Sequence, residues 1–157
     1  MSELQAGNVA PDFKVSIAED KQLSLSELSG KYVVLYFYPK DNTPGCMVEA
    51  RDFNALFPEF EKHGAEVIGV SKDSLKSHDK FKSIFGLKFH LGSDTECELC
   101  QKYGVWIEKS MFGKKYMGIN RASFLIDKAG KIAHIWPKVK VKGHAQEVLD
   151  KLKELSK

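Results

Sequence analysis

The stretch that decides the fold is Pro39-Lys40-Asp41-Asn42-Thr43-Pro44-Gly45-Cys46, in which a predicted strand passes into a predicted helix. The residues before it, 32–38, are all aliphatic or aromatic, as in a strand with both faces buried. Thr43 is a good helix N-cap, and Pro44 suits the first helical position because its missing N–H would have no partner there. Cys46 then falls in the first turn, where unpaired N–H groups and the helix dipole favour a thiolate. We therefore predict a reactive sulfur at the edge of a sheet.

The composition is typical of a globular protein. The chain has 157 residues, which predicts one domain spanning 1–157. Its net charge of +3 is too small to indicate nucleic acid or membrane binding, and it has no apolar run long enough to span a bilayer. Residues 1–6 lack the basic start and apolar core of an export signal. The three cysteines, an odd number, fit a reducing compartment. We expect a cytoplasmic location.

Outward from the central stretch, the chain alternates predicted strands and helices. This order predicts an α/β fold with a mixed central sheet, helices on both faces and an antiparallel pair at one side. Sites in such folds form at the carboxyl edge of the parallel strands, where Cys46 would lie. The predicted strands are 15–17, 32–38, 66–71, 89–91, 122–127 and 131–136. Helices are predicted after Cys46, at 74–85, around 96–103 and at 145–155, with a hairpin-like loop over 111–118.

Two of these helices have distinctive patterns. Pro58 interrupts the apolar face of the helix after Cys46, which predicts a kink or a break near Phe57. Asp94 or Thr95 is predicted to cap the helix around 96–103. The side chains predicted to face the sheet from the helix at 74–85 are Leu75, Phe81, Ile84 and Phe85.

The motif Pro39-x-x-x-Thr43-x-x-Cys46 resembles the active-site motif of the peroxiredoxins. The longer string of residues 37–46 is similar to that of the bacterioferritin-comigratory, or Q-type, subfamily. The resemblance covers nearly the whole chain, and it implies a thioredoxin-like fold, a thiol-dependent peroxidase and a monomer. The other segments that carry it are Ala10-Pro11-Asp12-Phe13, Tyr103-Gly104-Val105-Trp106 and Arg121-Ala122-Ser123-Phe124-Leu125-Ile126-Asp127.

The resemblance also implies roles for individual residues. The thiolate of Cys46 attacks one peroxide oxygen, and the other oxygen leaves as hydroxide or alkoxide. The Arg121 guanidinium, the Thr43 hydroxyl and the Cys46 N–H stabilise the charge that develops, while Pro39 shields the sulfur from water. Glu49, one turn further along the helix, holds Arg121 in position. Neither a cofactor nor a metal ion is expected.

Each of these residues has a simpler interpretation when it is taken alone. Thr43 is then only a helix cap, Pro39 a turn former and Arg121 a partner in a surface ion pair. The match along the whole chain favours the catalytic interpretation.

The chain departs from many members of the subfamily at the resolving cysteine. Attack on peroxide leaves Cys46 as a sulfenic acid, which needs a second thiol. Many members carry that thiol five residues further on, where this chain has Arg51. The remaining thiols, Cys97 and Cys100, follow a strand expected two places away, about 10 Å to the side. That distance exceeds the span of a disulfide, so local unfolding is required. We favour Cys97, because Cys100 lies among apolar residues.

The predicted function is a peroxidase that reduces hydrogen peroxide and organic hydroperoxides and is recycled by thioredoxin or a similar dithiol. Other uses of the thiols stay open. In one alternative, Cys97 and Cys100 form their own disulfide, which acts as a relay to thioredoxin. In another, an external thiol such as glutathione resolves Cys46. A zinc site from both thiols and His90 lacks a convincing fourth ligand. Alternative functions are a redox sensor that binds partners through oxidised Cys46, and a reductase that uses Cys97 and Cys100.

Overall fold

The computed structural model describes residues 4–156 of the chain. The strands in this range are β1 (Lys14–Ala18), β2 (Lys21–Ser24), β3 (Tyr32–Phe37), β4 (Ala65–Ser71), β5 (His90–Ser93), β6 (Trp106–Met111), β7 (Lys114–Ile119), β8 (Ala122–Ile126) and β9 (Ile132–Trp136). The helices are α1 (Pro44–Lys62), α2 (Leu75–Phe85), α3 (Glu98–Lys102) and α4 (His144–Leu155), with a short 3-10 helix at Leu25–Leu28. Residues 1–3, which belong to the N-terminal segment without an export signal, lie outside the described residues. The same is true of residue 157, the last residue of the predicted domain.

A mixed sheet of seven strands, in the order β2-β1-β5-β4-β3-β8-β9, lies at the centre of the fold. β3, β4 and β5 are parallel, and β8 pairs antiparallel with both β3 and β9. The predicted parallel core with an antiparallel pair at one side is therefore confirmed. A second antiparallel pair, β1 with β2, lies at the opposite edge. β2 was not predicted because it is short and buries only Leu23. β6 and β7 form a separate hairpin, as the loop pattern indicated.

Every residue of β3 is buried, which confirms the prediction that this strand is covered on both faces. Alternate side chains of a strand point to opposite faces, so β3 contributes to two hydrophobic clusters. α1, α2 and α4 pack on the face of Val34 and Tyr36, and α3 and the 3-10 helix pack on the face of Val33 and Leu35. The prediction of helices on both faces is confirmed.

A kink or a break was predicted near Phe57, and the break is wrong because α1 continues through Pro58. A proline removes one backbone hydrogen bond and leaves a carbonyl of the preceding turn without its partner. Pro58 is exposed, so water reaches that carbonyl. Phe53, Phe57 and Phe60 are buried on the other side and hold both parts of the helix against the sheet.

α2 differs from the prediction in the side chains that it buries. Ile84 was expected to face the sheet but is 58% exposed, and the buried residues of the helix are His78 and Phe81. With 3.6 residues per turn, His78, Phe81 and Phe85 share one face, whereas Ile84 lies to its side. The apolar pattern missed His78 because a histidine is buried only where its ring nitrogens have partners, which only the tertiary structure provides.

None of the helices between residues 4 and 156 combines the length and the apolar character needed to cross a membrane.

Candidate active site

Cys46 lies in the first turn of α1, and only 2% of its surface is exposed. The loop from Pro39 to Thr43 carries the chain from β3 into this helix. Thr43 occupies the N-cap position with extended backbone angles, and Pro44 occupies the first helical position, as predicted. The Thr43 side chain does not cap a helix N–H. Its hydroxyl donates instead to the Lys40 carbonyl, at 2.9 Å.

Arg121 lies beside Cys46 because of the sheet register. β8 runs antiparallel to β3 with Ala122 opposite Phe37, so Arg121 comes directly next to the loop that follows β3. Its guanidinium spans two groups of α1. Nη2 lies 3.2 Å from the Cys46 sulfur, and Nη1 donates to Oε1 of Glu49 at 2.5 Å. Burial lowers the pKa of Arg121, but the nearby Glu49 and Cys46 together raise it by more than burial lowers it. The pKa of Arg121 is therefore above its ordinary value.

Glu49 is a buried acid, with 1% of its surface exposed. One carboxyl oxygen accepts from Arg121, and the other, Oε2, is buried without a hydrogen-bond partner among residues 4–156. Burial raises the pKa of Glu49 from 4.5 to about 7, although the charge and hydrogen bond of Arg121 act in the opposite direction. The carboxyl that orients Arg121 is therefore poised to change its charge near neutral pH.

Gly45 gives the guanidinium its space. A β-carbon at this position would lie 3.2 Å from Nη2 of Arg121, which is tighter than ordinary contact. From the sequence, Gly45 was predicted only to lie beside Cys46 in the first turn of the helix. Its position directly before the cysteine was the available signal, but the need for a missing side chain depends on Arg121, far away in the chain.

Tyr36 and Lys109 are two neighbours of the site that the sequence analysis missed. The Tyr36 hydroxyl is buried without a partner among the described residues, and burial together with Glu49 and Cys46 raises its pKa. Lys109, on β6, donates to the Ile119 carbonyl, and burial together with Arg121 lowers its pKa. Tyr36 lies in the apolar strand β3 and Lys109 in the β6–β7 hairpin, and neither segment has a sequence motif that would indicate a residue of the site.

Pro39 is half-buried and is the first residue of the loop that follows β3. Thr43 is half-buried too, and its hydroxyl is held by the Lys40 carbonyl. Within residues 4–156, the side chain that forms a hydrogen bond to the Cys46 sulfur is that of Arg121. The structure thus places Arg121 in contact with both Glu49 and Cys46, and no hydrogen bond joins Pro39 or Thr43 to that sulfur within the described residues.

Cys97 and Cys100 lie across the sheet from Cys46. Both belong to the hydrophobic cluster under α3, whereas Cys46 belongs to the cluster under α1, α2 and α4. β5 is two places from β3, as the sequence analysis expected. All three thiols are free and buried. A disulfide to Cys46 therefore requires a change in the local structure, because the sheet separates the partners.

The two distal thiols differ in their surroundings. Cys97 is 6% exposed and occupies the N-cap position of α3 with a left-handed φ of 58°. Cys100 is fully buried, and its N–H donates to Asp94 at 2.8 Å. The Asp94 carboxylate also accepts from the Leu99 N–H, so it caps α3 as predicted, although the N-cap position itself belongs to Cys97. Burial, assisted by Asp94, raises the pKa of both thiols.

Comparisons with known proteins show the family to which the chain belongs. The model of the AhpC/TSA family matches residues 6–135. A putative peroxiredoxin bcp of Coxiella burnetii is 49% identical over 149 residues, covering 95% of this chain and 99% of the relative. The peroxiredoxin Bcp of Bacillus subtilis is 47% identical, covering 98% of each chain. The chain belongs to the AhpC/TSA family, as a peroxiredoxin of the bacterioferritin-comigratory (Q-type) subfamily.

Solved peroxiredoxin structures match the whole fold. The bacterioferritin comigratory protein of Xanthomonas campestris, whose alkyl peroxide reduction activity has been described, has a TM-score of 0.90 at 44% identity and full coverage of both chains. A variant of Xylella fastidiosa PrxQ has a TM-score of 0.93 at 41% identity, again with full coverage. The predicted thioredoxin-like fold and the predicted subfamily are confirmed. At the level of the family, the protein is a peroxidase and an oxidoreductase.

The peroxiredoxin site has a second polar cluster beside it, made of Asp41, Asp73 and His78. Their potential ligand atoms lie within 4.8 Å of one another. Within residues 4–156, this cluster, rather than His90 with the two distal thiols, brings potential metal ligands together. Its carboxylates already accept hydrogen bonds from the Ser77 hydroxyl at 2.8 Å and the Ser71 hydroxyl at 2.7 Å. The arrangement is that of a hydrogen-bonded network.

Proposed function

We propose that this peroxiredoxin reduces hydrogen peroxide and organic hydroperoxides through a sulfenic acid at Cys46, and that thioredoxin or a similar dithiol recycles it. One observation supports this proposal above the others. The Arg121 guanidinium lies 3.2 Å from the Cys46 sulfur and is held there by Glu49. A fixed cation beside a sulfur at a helix N-terminus favours the thiolate that attacks peroxide.

In the proposed reaction, the Cys46 thiolate attacks one oxygen of the hydroperoxide, and the O–O bond breaks. The sulfur becomes a sulfenic acid, and the second oxygen leaves with the electron pair and takes up a proton to become water or an alcohol. Arg121 stabilises the charge that spreads from sulfur to both oxygens. The Thr43 hydroxyl also stabilises this charge once it donates its hydrogen bond to the peroxide instead of to the Lys40 carbonyl. Pro39, at the border of the loop, limits access of water.

We propose Cys97 as the thiol that resolves the sulfenic acid. Its sulfur attacks that of Cys46, a disulfide forms, and the sulfenic oxygen leaves as water. The left-handed φ of Cys97 is an uncommon conformation for a residue other than glycine, so opening this turn relieves strain. Cys100 is fully buried and its N–H is bound to Asp94, which makes it the less accessible candidate.

Peptide mapping without reductant, after one equivalent of peroxide, tests this assignment. The native protein and Cys100→Ser should each give a peptide in which Cys46 is linked to Cys97. Cys97→Ser should lack this link but retain the first turnover with peroxide. A linkage to Cys100, or a Cys97–Cys100 disulfide in which Cys46 is free, would overturn the assignment and favour direct resolution by Cys100 or a relay.

A second candidate is a one-cysteine peroxidase recycled by an external thiol such as glutathione. The observation that favours it is the sheet between Cys46 and the other two thiols. In that case the same mapping would show no internal disulfide, and the sulfenic acid would persist until glutathione is added. A protein that senses peroxide without catalysis would not turn over peroxide, so Cys46→Ser would have no turnover to remove.

We also propose that the protein is a monomer located in the cytoplasm. Sedimentation equilibrium of the reduced and oxidised protein should give the mass of one chain, 17.7 kDa. A mass of two chains would contradict it.

A further inference from the structure

Asp41, in the loop between Pro39 and Cys46, carries a buried carboxylate that belongs to none of the roles above. Its side chain accepts a hydrogen bond from the Tyr38 hydroxyl at 2.6 Å and from the Ser77 hydroxyl at 2.8 Å. Its Oδ2 also lies 2.7 Å from Nδ1 of His78. The loop beside the reactive sulfur is thus bound to α2 through one acidic side chain.

His78 carries the connection onward to β5. Its Nε2 lies 3.0 Å from the Gly92 carbonyl, while Nδ1 faces the Asp41 carboxylate. Carbonyl and carboxylate oxygens accept hydrogen bonds, so the ring of His78 is held between two acceptors. The His78 and Asp41 side chains are only 2% and 1% exposed, so these contacts are buried away from water. We call this arrangement of Asp41, His78 and Gly92 the Asp41–His78 bridge.

A parallel set of bonds joins the same two segments. The Asp41 N–H donates to Asp73 at 2.8 Å, and the Ser93 hydroxyl donates to the Asp73 carbonyl at 2.6 Å. Gly92 and Ser93 end β5 and lead directly into the turn of Asp94 and Cys97. The loop of one redox thiol and the turn of another are therefore held by one buried network.

We propose that His78 and Asp41 are positioning residues that hold the Cys46 loop and the Cys97 turn closed together, so that the release of one favours the release of the other. The physical reason is that when one partner of a buried hydrogen-bonded pair is lost, the other is left buried and unpaired, which costs free energy. While the bridge is intact, Cys46 stays in contact with Arg121. When it breaks, both segments lose an anchor. The coupling itself does not depend on the proposed function. Only its use does, which is to let the thiols of Cys46 and Cys97 meet.

Hydrogen–deuterium exchange of the reduced protein, without peroxide, tests the coupling. His78→Asn should speed exchange at least about tenfold in peptides covering 39–47 and 92–100, and leave 122–136 unchanged. Asp41→Asn should do the same, including in 92–100, which the Asp41 side chain does not touch. The matched control is His63→Asn, at the distant end of α1, where the ring contacts the Ser156 hydroxyl. This control should leave both segments at the native rate.

The contradicting results are equally specific. Faster exchange confined to 39–47 in Asp41→Asn would show that the segments are not coupled. Equal acceleration everywhere, including 122–136, would show that the pair only supports the fold as a whole. Because this experiment involves no peroxide, its outcome does not depend on whether Cys46 reacts as proposed.

Discussion

Replacing Glu49 by glutamine removes a buried carboxyl from beside Arg121 while keeping the size of the side chain. In the native protein, burial raises the pKa of Glu49 from 4.5 to about 7. In the unfolded chain the same group releases its proton near its ordinary value. Between these two values the folded protein binds more protons than the unfolded chain, so the carboxyl lowers the free energy of unfolding as the pH rises.

The size of this effect follows from the two pKa values. A rise from 4.5 to about 7, at about 1.4 kcal/mol per pH unit, lowers the free energy of unfolding by about 3 kcal/mol. The cost is absent below pH 4.5, develops between 4.5 and 7, and is complete above 7. Glutamine does not titrate, so Glu49→Gln should lose this dependence on pH.

His144 opposes Glu49 in the native protein. Its Nε2 lies 2.8 Å from the Ser123 hydroxyl in a buried site, and burial lowers its pKa from 6.5 to about 4. Between pH 4 and 6.5 the unfolded chain binds more protons at this group, so its contribution to stability rises with pH. Between pH 4.5 and 6.5 the two groups change the stability in opposite directions, so Glu49→Gln, which keeps His144 but loses the opposing carboxyl, should gain stability relative to the native protein as the pH rises.

Urea unfolding of both proteins at a series of pH values between 4.5 and 8 measures the difference directly. We expect the stability of Glu49→Gln relative to the native protein to increase by about 3 kcal/mol across this range. The control is Glu61→Gln, an exposed position on the same helix, which should give a constant difference. A constant difference for Glu49→Gln would refute the reasoning, because it would mean that the Arg121 ion pair outweighs burial and keeps the carboxylate charged.

Three further predictions concern α1 and the guanidinium that contacts it. Arg121→Ala should slow the first turnover with peroxide by more than about tenfold in stopped-flow measurements, because a charged donor is lost, whereas Arg51→Ala should not; an equal rate would remove Arg121 from the site. Gly45→Ala should slow the same step severalfold without changing the melting temperature, because the new β-carbon would crowd Nη2 of Arg121 at 3.2 Å. An unchanged rate would show that the guanidinium shifts without effect. Pro58→Ala should stabilise the protein by up to about 3 kcal/mol in urea unfolding, because a backbone hydrogen bond of α1 is regained; destabilisation would show that the proline ring contributes packing.

Local patterns determined most of the elements and the position of Cys46 at the start of α1. The apolar run of β3, the turn chemistry of residues 39–46 and the helix start at Pro44 depend on neighbours in the sequence, so they could be predicted from it. The same holds for the order of strands and helices, which limits the sheet to few arrangements. The resemblance of the motif around Cys46 then indicated the family that the comparisons confirmed.

The environment of Cys46 depended on residues far apart in the chain. The contact between Arg121 and Cys46 exists because β8 pairs with β3, and the space for it exists because Gly45 has no side chain. The charge of Glu49 and the paired nitrogens of His78 depend on burial and on partners from other elements. Such properties follow from distances in space and from exclusion of water, and neither is encoded in a local pattern. For the same reason, only the tertiary structure showed that Cys46 and Cys97 lie on opposite faces of the sheet, whereas the need for local unfolding already followed from the expected sideways distance between them.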